Sequence, residues 1–260
     1  STMKAMKHLD LESKDGKAPG GFMYPLYEIG VPFIFMNAVG SQRDVVTMVH
    51  EGGHAVHSFL CRNLSMTEFK STPSEVAELA SMSMELLSMD HWNVFYADNS
   101  ELKRAKLEQL EKALETLPWV SPIDKFQHWI YTNKHTAQQR KEKWLEISEK
   151  LGNQIIDWEG NESIHANLWQ RQLHLYEVPF YYIEYGMAQL GAIAMWRSYK
   201  KLGENGLDNY MEALKLGYTK SISEIYETAG IKFDFSADYV KELADFIKDE
   251  LSKLNYDYEK

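Results

Sequence analysis

Val49-His50-Glu51-Gly52-Gly53-His54-Ala55-Val56-His57 places two imidazoles four residues apart, with a carboxylate directly after the first. Residues i and i+4 share one face of an α-helix, so whether this stretch is helical decides what His50 and His54 can do together. Its surroundings point to a helix. Ser41 can cap an N-terminus, and Asp44 stands three residues later in the first turn. Val45, Val46, Met48, Val49, Ala55, Val56 and Phe59 then carry an apolar pattern to Leu60. The spacing predicts a helix from Ser41 to Leu60 with both imidazoles on one side.

His50-Glu51-Gly52-Gly53-His54 is an H-E-x-x-H arrangement, in which two histidines share one metal ion and the glutamate acts on a water. With 9 His in 260 residues, chance supplies roughly 0.03 such matches in a chain of this composition. The plain alternative is a pair of partly buried structural histidines. Gly52 and Gly53 weigh against it: each costs a helix interior about 1 kcal/mol relative to Ala, which suits a surface that a substrate or a second helix approaches closely. A zinc site also needs a third protein ligand, and an acidic helix follows. Thr72-Pro73-Ser74-Glu75 reads as a capped start, with Thr72 as N-cap, Pro73 at the first helical position and Glu75 completing a capping box. This helix runs to about Trp92. Glu78 and Glu85, seven residues apart, fall on one stripe among Ala77, Leu79, Ala80, Met82, Met84 and Leu86. An unpaired carboxylate on such a face is costly. Glu78 is therefore assigned as the third zinc ligand, and Glu85 as an acceptor for the free N–H of a ligand histidine. His57 reads as structural, since His50, His54 and Glu78 complete the set.

The rest of the chain frames this pair of helices. Residues 1–40 are punctuated by Gly16, Gly20, Gly21, Gly30 and Gly40 and by Pro19, Pro25 and Pro32, which predicts short strands at Gly21–Tyr24 and Val31–Met36. The second could be an edge strand that pairs with an extended peptide. Beyond Asn99, Leu107, Leu110, Leu114 and Leu117 make one apolar stripe, and Pro118 and Pro122 are expected to end that helix. Further helices are expected at Ile123–Leu151, Asn161–Tyr176, Tyr185–Lys200, Leu207–Leu216, Ile222–Ala229 and Ser236–Asn255. The fold class is mainly α, with a small N-terminal β-sheet.

Composition bounds the function. The chain is 44% hydrophobic and 25% charged, as in ordinary globular proteins. Lys and Arg number 28 against 38 Asp and Glu, a net charge of −10, which argues against general nucleic-acid binding. One cysteine, Cys61, excludes an intrachain disulfide and suits a reducing compartment. No apolar run approaches the roughly 20 residues of a membrane span, and the polar first twenty residues do not read as a signal peptide. A cytoplasmic setting is expected, without membrane or nucleic-acid partners.

Val49 to His57 resembles the zinc helix of the oligoendopeptidase F and thimet oligopeptidase metallopeptidases. Ser74-Glu75-Val76-Ala77-Glu78-Leu79-Ala80-Ser81 resembles their third-ligand helix, with the ligand on Glu78. Gly16-Lys17-Ala18-Pro19-Gly20-Gly21-Phe22 and Pro32-Phe33-Ile34-Phe35-Met36-Asn37 resemble the stretch before that zinc helix. The likeness is closest to the oligoendopeptidase F branch. It implies a helical zincin-type catalytic domain across residues 1–260, Zn²⁺ held by His50, His54 and Glu78, a water activated by Glu51, and cleavage of internal bonds in short peptides. His174 to Gly186 matches the family's His- and Tyr-rich segment, with one His and four Tyr in twelve residues. The resemblance makes Tyr185 and His174 the transition-state donors, with Tyr182 next. Members of the family also carry an N-terminal helical region that has no counterpart in this sequence, so the remaining region or a partner chain is an expected partner. Two alternatives stay open: a zinc carboxypeptidase or dipeptidyl carboxypeptidase, and a non-catalytic helical interaction domain with a structural metal site.

Overall fold

Asp44 starts the helix that organises the N-terminal part of the chain. In the computed structural model, which describes residues 2–153 and 155–254, its carboxylate accepts the backbone N–H groups of Val39, Gly40 and Ser41 at 2.7–2.9 Å. Donors that would otherwise be orphaned before a helix are thereby satisfied. The elements, in chain order, are α1 (Thr2–Ala5), β1 (Leu9–Glu12), β2 (Phe22–Tyr24), β3 (Phe33–Ala38), α2 (Gln42–Cys61), α3 (Thr67–Lys70), α4 (Ser74–Leu87), α5 (Asn99–Thr132), α6 (Ala137–Leu151), α7 (Glu162–His165), α8 (His174–Glu177), α9 (Ile183–Leu202), α10 (Glu204–Lys215), α11 (Ile222–Thr228) and α12 (Ala237–Lys253). The mainly helical class and the small sheet are as expected. Two compact units result, one from residues 1–110 with 188–260 and one from residues 111–187.

In the first unit the sheet order is β1-β3-β2. β1 runs parallel to β3, with Leu9 opposite Ile34, and β2 runs antiparallel, with Phe22 opposite Phe35 and Tyr24 opposite Phe33. This corrects the expectation of an edge strand at Val31–Met36. Phe33–Ala38 is the central strand, its backbone is paired on both sides, and it has no free edge for a peptide. One face of the sheet buries Val31 and Ile34 with Ala55 of α2, flanked by Leu9, Met23, Met48 and Phe59. Tyr210 of α10 is fully buried and donates its hydroxyl to the Ala80 carbonyl at 2.6 Å.

Helix α4 starts one residue later than expected. Pro73 is extended, at φ −62° and ψ 156°, and its carbonyl accepts the N–H groups of Val76 and Ala77. Pro73 is therefore the N-cap, and Thr72 and Glu75 form no capping box. The helix ends at Leu87, and a 3₁₀ segment continues over Ser88–Val94.

Pro118 and Pro122 do not end α5; both lie inside it. In the second unit Ile123 and Phe126 of α5, just beyond them, are fully buried against Trp144, Ile147, Trp169 and Leu175. That burial outweighs the lost backbone bonds, which cost about 3 kcal/mol per proline. The expected helix Ile123–Leu151 is instead two. The break lies between Thr132 and Ala137, where Thr136 caps α6 and Gln139 returns the bond to the Thr136 N–H at 2.8 Å. Asn161–Tyr176 is likewise broken, into α7, a 3₁₀ turn and α8. α12 matches the expected terminal helix as far as Lys253; Asn255 lies outside the described residues.

Candidate metal centre

Helices α2 and α4 touch through Gly53. A Cβ there would meet the Ser81 Cα at 2.7 Å, the Ala80 carbonyl oxygen at 2.8 Å and the Met84 Cβ at 3.0 Å. Only a hydrogen fits. Gly52 is different: nothing lies within 4 Å of where its Cβ would be. The two glycines thus separate the two reasons offered for them, Gly53 serving helix contact and Gly52 an open face beside His50 and Glu51.

The contact at Gly53 brings Glu78 of α4 to the two imidazoles of α2. One ligand atom from each of His50, His54 and Glu78 can be chosen so that all lie within 4.8 Å of one another. Oε2 of Glu78 is 3.5 Å from Nε2 of His50 and 3.9 Å from Nε2 of His54. Both distances exceed a hydrogen bond. Tetrahedral zinc with ligands at about 2.0–2.2 Å holds its ligand atoms roughly 3.3–3.6 Å apart, so the observed spacing fits an ion at the centre with small adjustment. Ser81 donates its hydroxyl to the Glu78 carboxylate at 3.1 Å.

His50 is oriented from behind. Its Nδ1 lies 2.6 Å from Oε1 of Glu85, and Oε2 of Glu85 accepts the Gln109 amide at 2.7 Å. With Nδ1 tied to Glu85, Nε2 is the ring nitrogen turned toward Glu78. Gln109 comes from α5 and is buried. Sequence reading missed it, since an amide on a separate helix carries no spacing signal.

The electrostatics suit a cation. Burial alone would lower the His50 pKa, but the Glu85 hydrogen bond and the charges of Glu85, Glu78 and Glu51 overcome it and hold His50 up at about 9. Burial and the neighbouring His50 and His57 push His54 down to about 3. Glu51 is buried and its pKa is raised, first by desolvation and then against the pull of His50 by Glu78. Its Oε2 atom is buried without a hydrogen-bond partner. A carboxyl group with a raised pKa and an unsatisfied oxygen is suited to exchange a proton with a nearby water. His57, buried at one turn beyond His54, bonds the backbone of Leu214, and desolvation lowers its pKa to about 4.

In the second unit His174, Tyr182 and Tyr185 form their own group. Nε2 of His174 is 3.4 Å from the Tyr185 hydroxyl, its Nδ1 lies 2.6 Å from the Gln172 amide, and its ring is centred 5.0 Å from that of Tyr182. The rings of Tyr182 and Tyr185 are 5.4 Å apart, edge to face. Burial lowers the His174 pKa and raises that of Tyr182.

Residues 2–245 match the model of peptidase family M3. The chain is 26% identical over 235 residues to oligopeptidase PepF of Bacillus subtilis, covering 86% of this chain and 33% of that protein. It is 25% identical over 251 residues to the plasmid-encoded oligoendopeptidase F of Lactococcus lactis subsp. cremoris, covering 95% and 41%. A solved structure of PZ peptidase A with an inhibitor superimposes with a TM-score of 0.89 at 29% identity, over 97% of this chain and 45% of that one. The chain thus spans 33–41% of the length of these two relatives. Among the described residues no helix is long and apolar enough to cross a membrane.

Proposed function

The chain belongs to peptidase family M3, and from that premise we propose that residues 1–260 act as the catalytic domain of a zinc oligoendopeptidase that hydrolyses internal bonds of short peptides. His50, His54 and Glu78 would hold the ion. When bound, Zn²⁺ supplies Lewis acidity to a water and to the scissile carbonyl. Glu51 takes a proton from the attacking water and passes it to the departing amine. Glu85, itself held by Gln109, fixes the His50 ring. Tyr185, with His174 and Tyr182 beside it, donates to the oxyanion as it develops. A single buried thiol, Cys61, suits a reducing compartment, and we read the setting as cytoplasmic.

The observation that carries this reading is the His50, His54 and Glu78 group, with ligand atoms within 4.8 Å of one another, beside the unpartnered Oε2 of Glu51. Three protein donors leave a coordination position open, whereas structural zinc is closed by four. This favours a catalytic site over a structural one. Metal analysis combined with cleavage of an internally quenched peptide blocked at both ends tests the proposal. We expect one zinc per chain, and a Glu51→Gln variant that keeps the zinc and loses cleavage. Full-rate hydrolysis by that variant, or no metal uptake by the wild type, overturns the reading. An exopeptidase would leave the blocked peptide intact and cut one with a free terminus.

A further inference from the structure

A pocket of about 160 Å³ opens on the flank of α2 next to His54. Met23, Pro25 and Tyr27 form one wall, and His54, Lys70 and Thr72 contribute to the others. It is smaller than the roughly 300 Å³ at which sites for whole small-molecule ligands begin, and so suits one side chain or one chain end. No Asp or Glu lines it, although the protein carries a net charge of −10. Lys70, at the end of α3, forms no ion pair among the described residues. Lys70 is thus the one Lys, Arg, Asp or Glu on the lining, and it faces the same cavity as His54.

We propose that this pocket is a carboxylate subsite of the substrate, with Lys70 as its counter-ion. The proposal deepens the peptidase reading and rests on it for the word substrate. Lysine is a compact point charge on a flexible stem, and a half-buried lysine that forms no ion pair gains a charge-assisted bond when a carboxylate enters. The metal ligand on the same lining puts the occupant close to the bond being cut. Two sources supply the same chemistry: an Asp or Glu side chain next to the scissile bond, or the carboxylate at the end of the peptide. An uncharged isostere loses the bond and leaves the ammonium unpaired, a discrimination of about 10- to 100-fold.

The test titrates peptides of one sequence into the zinc-loaded Glu51→Gln chain, so that binding is read without turnover. The set carries Glu, Gln or Lys at the positions flanking the cleaved bond, each as free acid and as amide. A Glu peptide binding 10- to 100-fold more tightly than its Gln counterpart assigns the pocket to a side chain. A gap of that size between acid and amide assigns it to the chain end. In either case the gap closes to within about twofold when Lys70→Met is added, and Lys70→Glu reverses it in favour of the Lys peptide. Equal affinities throughout, or a gap that survives Lys70→Met in a chain with unchanged melting temperature, overturn the proposal. Cleavage by the zinc-loaded wild type is scored separately. Charge-dependent binding with no cleavage removes the peptidase reading and keeps the pocket, and cleavage without charge preference does the reverse.

Discussion

His50 and Glu85 are joined by a 2.6 Å contact between Nδ1 and Oε1 across 35 residues of chain, and Glu85 is joined in turn to Gln109. The imidazole is therefore held at a fixed angle before any ion arrives. Removing such a partner typically weakens metal binding about 10- to 100-fold. We expect Glu85→Ala to bind zinc that much less tightly in chelator competition, with the far-ultraviolet spectrum unchanged. Gln109→Ala should show a smaller loss in the same direction. Equal affinities would mean that the ring is held by packing alone.

Gly52 and Gly53 should respond oppositely to the same change. A methyl at Gly53 meets the backbone of α4 below 3.0 Å, so Gly53→Ala forces the two helices apart, at a cost of about 1–3 kcal/mol, and draws Glu78 away from His50 and His54. A methyl at Gly52 meets nothing and gains about 1 kcal/mol of helix propensity. Thermal melts should therefore rise for Gly52→Ala and fall for Gly53→Ala, and only the second should lose metal affinity. If Gly52 fronts the substrate, its variant loses peptide cleavage despite the higher melting temperature.

The side-chain placements that could be read from the sequence were those that repeat with the period of a helix. The i, i+4 pair His50 and His54 and the seven-residue spacing of Glu78 and Glu85 put side chains on faces that the fold then brings together, and Asp44 sat where a helix start wants a carboxylate. Contacts whose residues carry no spacing signal were not readable. β1 pairs with β3 about 25 residues later, and the apolar/polar alternation of Leu9-Asp10-Leu11-Glu12, only four residues long, names no partner. Gln109 looks like any solvated amide until α5 is laid beside α4. Pro118 and Pro122 misled because the rule that proline ends helices is local, whereas Ile123, Phe126 and Trp144 supply tertiary burial that overrides it.

His57 sets an acid limit on stability. Its folded pKa is depressed to about 4 by burial against an unfolded value of about 6.5. Above pH 6.5 both states are neutral at this ring and it contributes nothing to the pH dependence. As pH falls from 6.5 to 4 the unfolded state takes the proton first and gains free energy, so the native state loses up to about 3 kcal/mol of stability. His54 acts in the same sense in the metal-free chain, so the difference between wild type and His57→Gln isolates the His57 share. Denaturant melts of the two at pH 7.5, 6, 5 and 4 should converge as pH falls. Parallel curves would show that His57 is as protonated in the folded state as in the unfolded one.

Tyr185 carries the last expectation. Its ring is packed edge to face against Tyr181 and Tyr182 at 5.4 Å and against His174 at 5.5 Å, contacts that a phenylalanine keeps. Tyr185→Phe thus removes the hydroxyl and the 3.4 Å contact to Nε2 of His174 while leaving the packing in place. A donor used only as the oxyanion forms acts on kcat and not on substrate affinity. The expected loss is about 10²–10³ in kcat, with KM, zinc content and melting temperature held. His174→Gln, which perturbs the neighbour of that hydroxyl, should lower kcat less than Tyr185→Phe does. Should Tyr185→Phe turn over peptides within twofold of wild type, the hydroxyl has no part in the reaction, and the aromatic group of the second unit serves only to pack its helices.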